Sequence, residues 1–182
     1  MKKESGLQMK AILMSIKPKW VKEILNGNKI IEIRKRFPKD YVGWVYIYCT
    51  KDKKYANLIN RGGFLTGMVA ARFWCDKVEE LMFLEGLYSP LDRGYCTDTL
   101  DNAQVEIKSR VPQESIIDYL YSKGKGYAIH ITKLEIFDIP KEISEFKRLL
   151  KGNKLDHSID AINIFGGIQL TKAPQSWCYM EV

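Results

Sequence analysis

The order of apolar and polar residues predicts that the chain opens with a strand, a helix and a glycine stop. Residues 10–16 form an apolar run typical of a buried strand. Pro18 fits the first position of a helix, because the amide hydrogen that proline lacks would have no partner there. Apolar residues then recur at helical spacing as far as Leu25, and Gly27 stands where the left-handed end of a helix is expected.

The remaining pattern predicts more strands than helices. Apolar or alternating runs predict strands at 29–36, 42–50, 64–76, 127–137 and 176–182. Helices are expected at 98–109, from about Pro112 until just before Ser122, and at 141–151. The segments left without an element are an irregular connection at 77–97 and most of 152–175. This mixture predicts an α+β domain built on a mixed, barrel-like β-sheet with several peripheral helices.

The chain has 182 residues, a length that suits one domain. The apolar pattern starts at Met9, so residues 1–8 are expected to be a dispensable N-terminal extension and residues 9–182 a single domain. No apolar run has the length of a membrane span, and the first residues lack the apolar stretch of a secretory signal. We therefore expect a cytoplasmic protein that does not bind membranes.

Positive charge is concentrated in one short part of the sequence. The formal net charge is +7, and the segment from Lys17 to Lys39 holds eight lysines and arginines and two glutamates, which gives 8 − 2 = +6 in 23 residues. Such a patch is the electrostatic footprint of a polyanionic partner. A solvated, lysine-rich surface is the alternative that charge alone leaves open.

The sequence holds no pattern typical of a metal site or of a nucleotide-binding loop. Its four cysteines are far apart and form no Cys-x-x-Cys pair, and only two histidines accompany them. A structural zinc site is therefore not expected, and the cysteines are interpreted as reduced thiols that fill space in the core. Walker loops, dinucleotide fingerprints and nucleophile elbows are absent as well. No cofactor is expected.

The predicted strand at 29–36 is unusually rich in charge. Side chains alternate along a strand, so Lys29 is predicted to share a face with Ile31 and Ile33, and Glu32 to share the other with Arg34. A glutamate beside an arginine stays ionised and fixes the guanidinium plane, which then suits a phosphate or the edge of a base. An ordinary ion pair on a solvated face is the competing interpretation.

Aromatic residues offer a few places where a base could stack. Trp44, Tyr46 and Tyr48 share one face of a predicted strand, but such a stripe is more often part of a core than a stacking platform. Trp20 on the first predicted helix is a better candidate. His130 lies in an alternating strand between two isoleucines and is interpreted as structural.

The stretch from Ser15 to Pro18, followed by the pattern Gly27-x-Lys29-x-x-Glu32-x-Arg34, resembles the G-x-K-x-x-E-x-R signature of the activating-signal-cointegrator homology (ASCH) domain. This domain belongs to the PUA-like superfamily. The later stretch YAIHITKLEIFDIP and the ending APQSWCYME resemble its bacterial and phage branch, so the resemblance extends over most of residues 9–182.

The resemblance implies a compact, PUA-like β-barrel with a cleft beside the first helix, and RNA-related roles. Carried over by position, Gly27 ends the helix, and Lys29, Glu32 and Arg34 face the cleft. Some small relatives hydrolyse the amide of N4-acetylcytidine with the signature lysine, a threonine three residues later and a distant glutamate. Here Glu32 stands at the threonine position, which removes the proposed hydroxyl nucleophile. Other relatives are reported as ribonucleases.

Three functions therefore stay open. The leading hypothesis is binding of RNA or a nucleotide, in which Lys17, Lys29 and Arg34 contact phosphate or base, Glu32 orients Arg34, Trp20 stacks and Arg36 extends the basic surface. The second is an enzyme acting on a modified nucleoside or on RNA, with Lys29 and Glu32 as an acid–base pair. The third is a module that binds an acidic protein partner. The sequence leaves the oligomeric state undetermined.

Overall fold

The computed structural model describes residues 10–60, 63–85, 93–149 and 167–182. The predicted extension at 1–8 and the segment 152–166 lie outside these ranges. The described residues fall into two compact units. Unit 1 takes its residues from Met1–Pro18, Trp44–Arg72 and Glu135–Val182, and unit 2 from Lys19–Gly43 and Phe73–Leu134. The prediction that residues 9–182 form a single domain stays a prediction.

The described residues form strands, three α-helices and two short 3₁₀ turns. In chain order the elements are β1 (Lys10–Ile16), α1 (Pro18–Leu25), β2 (Ile31–Arg34), β3 (Gly43–Cys49), a 3₁₀ turn (Lys53–Tyr55), β4 (Ile59–Asn60), β5 (Gly63–Phe64), β6 (Val69–Cys75), β7 (Val78–Leu84), β8 (Gly94–Cys96), α2 (Asn102–Ser109), α3 (Gln113–Leu120), β9 (Lys125–His130), β10 (Thr132–Lys141), a second 3₁₀ turn (Ile143–Glu145), β11 (Lys147–Arg148), β12 (Ile168–Gln169) and β13 (Trp177–Glu181).

Unit 1 is built on a mixed sheet with the strand order β10-β6-β3-β1-β13-β11-β12. Strand β1 runs parallel to β3 and antiparallel to β13, so the sheet is mixed, as the sequence predicts. One face of this sheet carries a core that includes Leu13, Tyr46, Tyr48, Phe146 and Met180. Tyr46 and Tyr48 are therefore core residues, and the interpretation of that aromatic stripe as core is confirmed for these two.

Unit 2 is built on an antiparallel sheet with the order β2-β9-β7-β8. Helices α2 and α3 supply Val105, Ile116 and Leu120 to a core shared with Ile31 and Ile33 of β2. The capping of α2 explains its late start: the Asp101 side chain accepts a hydrogen bond from the Gln104 amide, so the helix begins at Asn102 and not at residue 98.

Three strand predictions need correction. The strand expected at 29–36 is limited to Ile31–Arg34. The strand expected at 64–76 is interrupted between β5 and β6, where Gly67 has a φ of 87° that favours glycine. The strand expected at 127–137 is divided into β9 and β10, which are joined at Ile131.

Two other predictions are wrong in element type. The irregular connection at 77–97 contains strands β7 and β8. The helix expected at 141–151 is, over its described residues, the 3₁₀ turn followed by β11. Of its apolar residues, Phe146 is buried, whereas Ile143 is only partly so, which is too little to form the continuous apolar stripe of a helix.

The four cysteines are free thiols and all are buried, in agreement with their predicted role as core residues. Among the described residues, no helix is long and apolar enough to cross a membrane. The same residues hold no cluster of three or more side chains suited to a metal ion.

Candidate functional site

The link between helix α1 and strand β2 places Lys29. Gly27 ends the helix with a φ of 72°, and the amides of Asn28 and Lys29 then both donate to the Glu23 carbonyl, at 2.9 and 3.0 Å. The amide of Ile30 donates to the Lys108 carbonyl at 2.9 Å, which fixes the link against the end of α2. The predicted roles of Pro18 as first helical residue and Gly27 as helix stop are confirmed.

Lys29 is a fully buried lysine, with 1% of its surface exposed. Its Nζ donates to the Ser109 carbonyl at 2.7 Å and lies 3.2 Å from Oε2 of Glu32. Burial lowers the pKa of the Lys29 ammonium, and the attraction of the Glu32 carboxylate only partly offsets that effect. The surroundings of Lys29 therefore disfavour its charged form.

Glu32 joins Lys29 to Arg34. Its Oε1 lies 3.1 Å from Nη2 of Arg34, and the Glu32 side chain is 6% exposed. Within the described part of the chain, the polar partner of Glu32 Oε2 is the Lys29 ammonium, whose geometry is poor for a hydrogen bond. We call these three residues the ion triad. Arg34 is its outermost member, because 13% of its side chain reaches solvent.

The triad differs from the predicted alternation of the strand. Lys29 was expected on the face opposite to Glu32, yet the two side chains form an ion pair. The reason is that β2 begins at Ile31, so Lys29 lies in the preceding link and its direction is not fixed by the pleat. Ile31 and Ile33 do enter the core as predicted.

Trp20 lies beside the triad. The Lys29 Nζ is 5.2 Å from the centroid of its ring and the Lys19 Nζ is 4.4 Å from it, both within the range of a cation–π interaction. Trp20 is half-buried. The structure thus brings together four of the predicted site residues, which are Trp20, Lys29, Glu32 and Arg34.

The two remaining predicted site residues are peripheral in the fold. Lys17 is an exposed residue of unit 1, between β1 and α1. Arg36 is an exposed residue of unit 2, two positions beyond the end of β2.

Sequence reasoning missed a second polar centre in unit 2. Oε1 of the buried Glu79 accepts from the hydroxyls of Thr97 and Thr99, at 3.0 and 2.6 Å, and pairs with Lys77 at 3.1 Å. Its Oε2 contacts Nε2 of His130 at 2.5 Å. We call these five residues the Glu79 cluster. Its residues lie far apart in the sequence, so no motif indicated it, and it gives His130 a structural partner, in line with the interpretation of that residue.

No protein-family model matches the chain, and no curated protein matches it either. Among solved structures, the crystal structure of ASCH from Zymomonas mobilis aligns with a TM-score of 0.50 at 15% sequence identity, over 73% of this chain and 73% of that chain. A Ser-to-Ala variant of ASCH from the same organism aligns with a TM-score of 0.56 at 14% identity, over 93% of this chain and 87% of that chain.

The predicted fold class is confirmed by these alignments. The chain has the α+β, PUA-like fold of ASCH structures, with mixed β-sheets and added helices. The resemblance that the signature residues indicated therefore holds for the fold, over as much as 93% of the chain.

Proposed function

We propose that the protein binds RNA or a nucleotide at the ion triad and Trp20. The observation that carries this proposal is the burial of the triad. Removing three charges from water is costly, and apolar side chains of similar volume often stabilise a fold as well as a buried ion pair does. A small unit that keeps Lys29 at 1% exposure therefore has a reason other than stability to hold charges there.

Each residue of the site has a distinct role in this proposal. Lys29 positions Glu32, and Glu32 orients the guanidinium of Arg34 through the 3.1 Å contact. Arg34 then presents a planar set of donors to a phosphate or to the edge of a base. Trp20 offers a ring for stacking, while Lys17 and Arg36 add exposed positive charge that attracts a polyanion. The ASCH fold and the net charge of +7 support the same class of ligand.

A salt series with a short single-stranded RNA tests this proposal. Arg34→Ala should weaken binding by about 10- to 150-fold, since a hydrogen bond to a charged group contributes about 1.5–3 kcal/mol. If Arg34 contacts a phosphate, the slope of log affinity against log salt should also become shallower by about 0.7. The matched control is Arg93→Ala, which removes the same charge from an exposed position in unit 2. Equal losses in both variants would reduce the proposal to non-specific attraction.

The lowered pKa of Lys29 supports a second candidate, a hydrolase acting on a modified nucleoside or on RNA. A buried lysine beside a carboxylate is a recognised general base or nucleophile, because its neutral form is more accessible than that of a surface lysine. The test is turnover of a nucleoside and RNA panel by wild type and Lys29→Met. Turnover that disappears in a folded Lys29→Met protein would favour this candidate, and no turnover by wild type would exclude it for the panel.

A further inference from the structure

In unit 1, Arg72 of strand β6 is held by side chains of both neighbouring strands. Its Nε donates to Oε2 of Glu135 on β10 at 2.7 Å, and its Nη1 donates to the Tyr46 hydroxyl on β3 at 3.1 Å. Its Cζ lies 4.1 Å from the centroid of the Trp44 ring, also on β3. The guanidinium is thus fixed by two hydrogen bonds and by two aromatic rings, since the Tyr46 ring centroid also lies 5.7 Å from Cζ.

These contacts leave part of the guanidinium open. The Arg72 side chain is 30% exposed, although the rings of Trp44 and Tyr46 lie 4.1 and 5.7 Å from its Cζ. Arginine carries five N–H donors, and contacts within the described residues engage only Nε and Nη1. A flat, charged surface with spare donors is therefore held in one orientation before any ligand arrives.

We propose that the exposed part of Arg72 is a stacking site for a base of single-stranded RNA. The proposal rests on the ligand class proposed above, but it assigns a separate contact in unit 1 that does not involve the ion triad. A base stacks on a guanidinium plane much as it does on an aromatic ring, and the spare N–H groups can reach the adjacent phosphate. In this arrangement the stacking surface is the guanidinium and not the indole, because Arg72 already covers one face of Trp44.

The chemistry favours RNA over an acidic protein as the partner. A carboxylate would be met most directly by the edge of the guanidinium, but Glu135 already occupies the Nε side of that edge. With one side of that edge occupied, a base that stacks on the plane and places its phosphate at the remaining donors uses more of the guanidinium than a carboxylate does. The ion pair between Arg72 and Glu135 itself contributes little to folding, because its side chains are 30% and 47% exposed.

The experiment compares two oligonucleotides of equal length, a single-stranded RNA 12-mer and the same backbone with abasic sites. Arg72→Ala should weaken binding of the RNA about tenfold and binding of the abasic strand much less, because only the first can stack. Arg72→Lys keeps the charge but lacks the plane, so it should lose nearly as much affinity for the RNA as Arg72→Ala. The matched control, Arg148→Ala, removes an exposed arginine of unit 1 and should affect both strands equally and weakly.

Several results would overturn the proposal. Equal losses on the two strands, or wild-type affinity in Arg72→Lys, would show that Arg72 contributes charge only. Circular dichroism and thermal melting check that each variant is folded. If Arg72→Ala does not fold, the comparison of Arg72→Lys with wild type still tests the proposal.

The same series separates this proposal from the proposed function. A loss at Arg34 without a base-dependent loss at Arg72 would leave the ion triad as the binding site and reject the stacking site. A base-dependent loss of affinity in the Arg72 variants, with wild-type affinity in Arg34→Ala, would support the stacking site and reject the ion triad as a binding site. No binding by wild type at low salt would reject both for RNA, and titration with mononucleotides would then test the triad by itself.

Discussion

At the scale of single residues, the ion triad predicts that two substitutions lower the free energy of unfolding by unequal amounts. Glu32→Gln leaves the Lys29 ammonium buried without its carboxylate partner, and we expect a loss of about 3 kcal/mol in the free energy of unfolding. Lys29→Met leaves Glu32 paired with Arg34 but removes the partner of Glu32 Oε2 and the donor to the Ser109 carbonyl, so we expect a smaller loss, of at least about 1 kcal/mol. Urea unfolding at neutral pH measures both. A Lys29→Met protein as unstable as Glu32→Gln would show that the lysine is needed for the fold.

The difference in the free energy of unfolding between wild type and Lys29→Met should depend on pH, which tests whether Lys29 is buried as described. In the folded protein, burial holds the pKa of Lys29 below its ordinary value. Between that lowered value and the pKa of the unfolded chain, the unfolded chain binds more protons, so the stability contributed by this group rises as the pH rises. Wild type should therefore gain stability relative to Lys29→Met in that alkaline window, and the difference should stay constant below it.

At the scale of elements, the Glu79 cluster ties β7 and β9 to the segment before α2. Burial alone would raise the pKa of the Glu79 carboxyl, but hydrogen bonds from Thr99, Lys77, His130 and Thr97 lower it to about 2. The ionised Glu79 carboxylate therefore stabilises the fold. This contribution is fully present above the pKa of the carboxyl in the unfolded chain, near 4.5, and is lost as the pH falls towards 2. Glu79→Gln should cost about 1–3 kcal/mol at neutral pH, because buried donors lose their acceptor.

The difference in stability between wild type and Glu79→Gln should shrink as the pH falls from about 4.5 to about 2. The control is Glu80→Gln on the same strand, whose exposed pair with Lys125 contributes little to the free energy of unfolding. A difference that does not change with pH in this window would mean that the cluster does not hold the Glu79 carboxylate in its charged form.

The elements that the sequence predicted well are those in which local signals and burial agree. Helix α1 has a proline at its start and a glycine at its end, and β1 is an apolar run that is buried almost throughout. Strand β7 was missed because its pattern is inverted: Glu79 is buried by partners distant in sequence, whereas Met82 is 45% exposed. No local rule predicts a buried glutamate beside an exposed methionine.

The candidate site was predictable in its members but not in its geometry. The spacing of Lys29, Glu32 and Arg34 indicated a charged cluster, and the structure brings these residues together. What the sequence could not indicate is that Lys29 is buried, because the acceptor for its ammonium is the Ser109 carbonyl, 80 residues away at the end of α2. Long-range partners of this kind depend on the packing of whole elements.

At the scale of the whole molecule, the chain passes between units 1 and 2 four times. Strands β6 and β10 each contribute residues to both units. Because two strands are shared in this way, loss of either unit would disrupt strands of the other, so we expect the two to unfold together. A single domain unfolds in one cooperative transition, so joint unfolding of the two units is what the prediction of a single domain at residues 9–182 requires.

The four buried cysteines make that expectation measurable, because each unit holds two of them. Cys49 and Cys178 lie in unit 1, and Cys75 and Cys96 in unit 2. Burial raises the pKa of both the Cys49 and the Cys75 thiol to about 12, so the native protein should resist alkylation, which needs the thiolate. In pulsed alkylation across a urea series, read out by mass spectrometry, all four should become reactive at one midpoint. If the pair in one unit reacts at a clearly lower urea concentration than the pair in the other, the chain consists of two domains with separate stabilities.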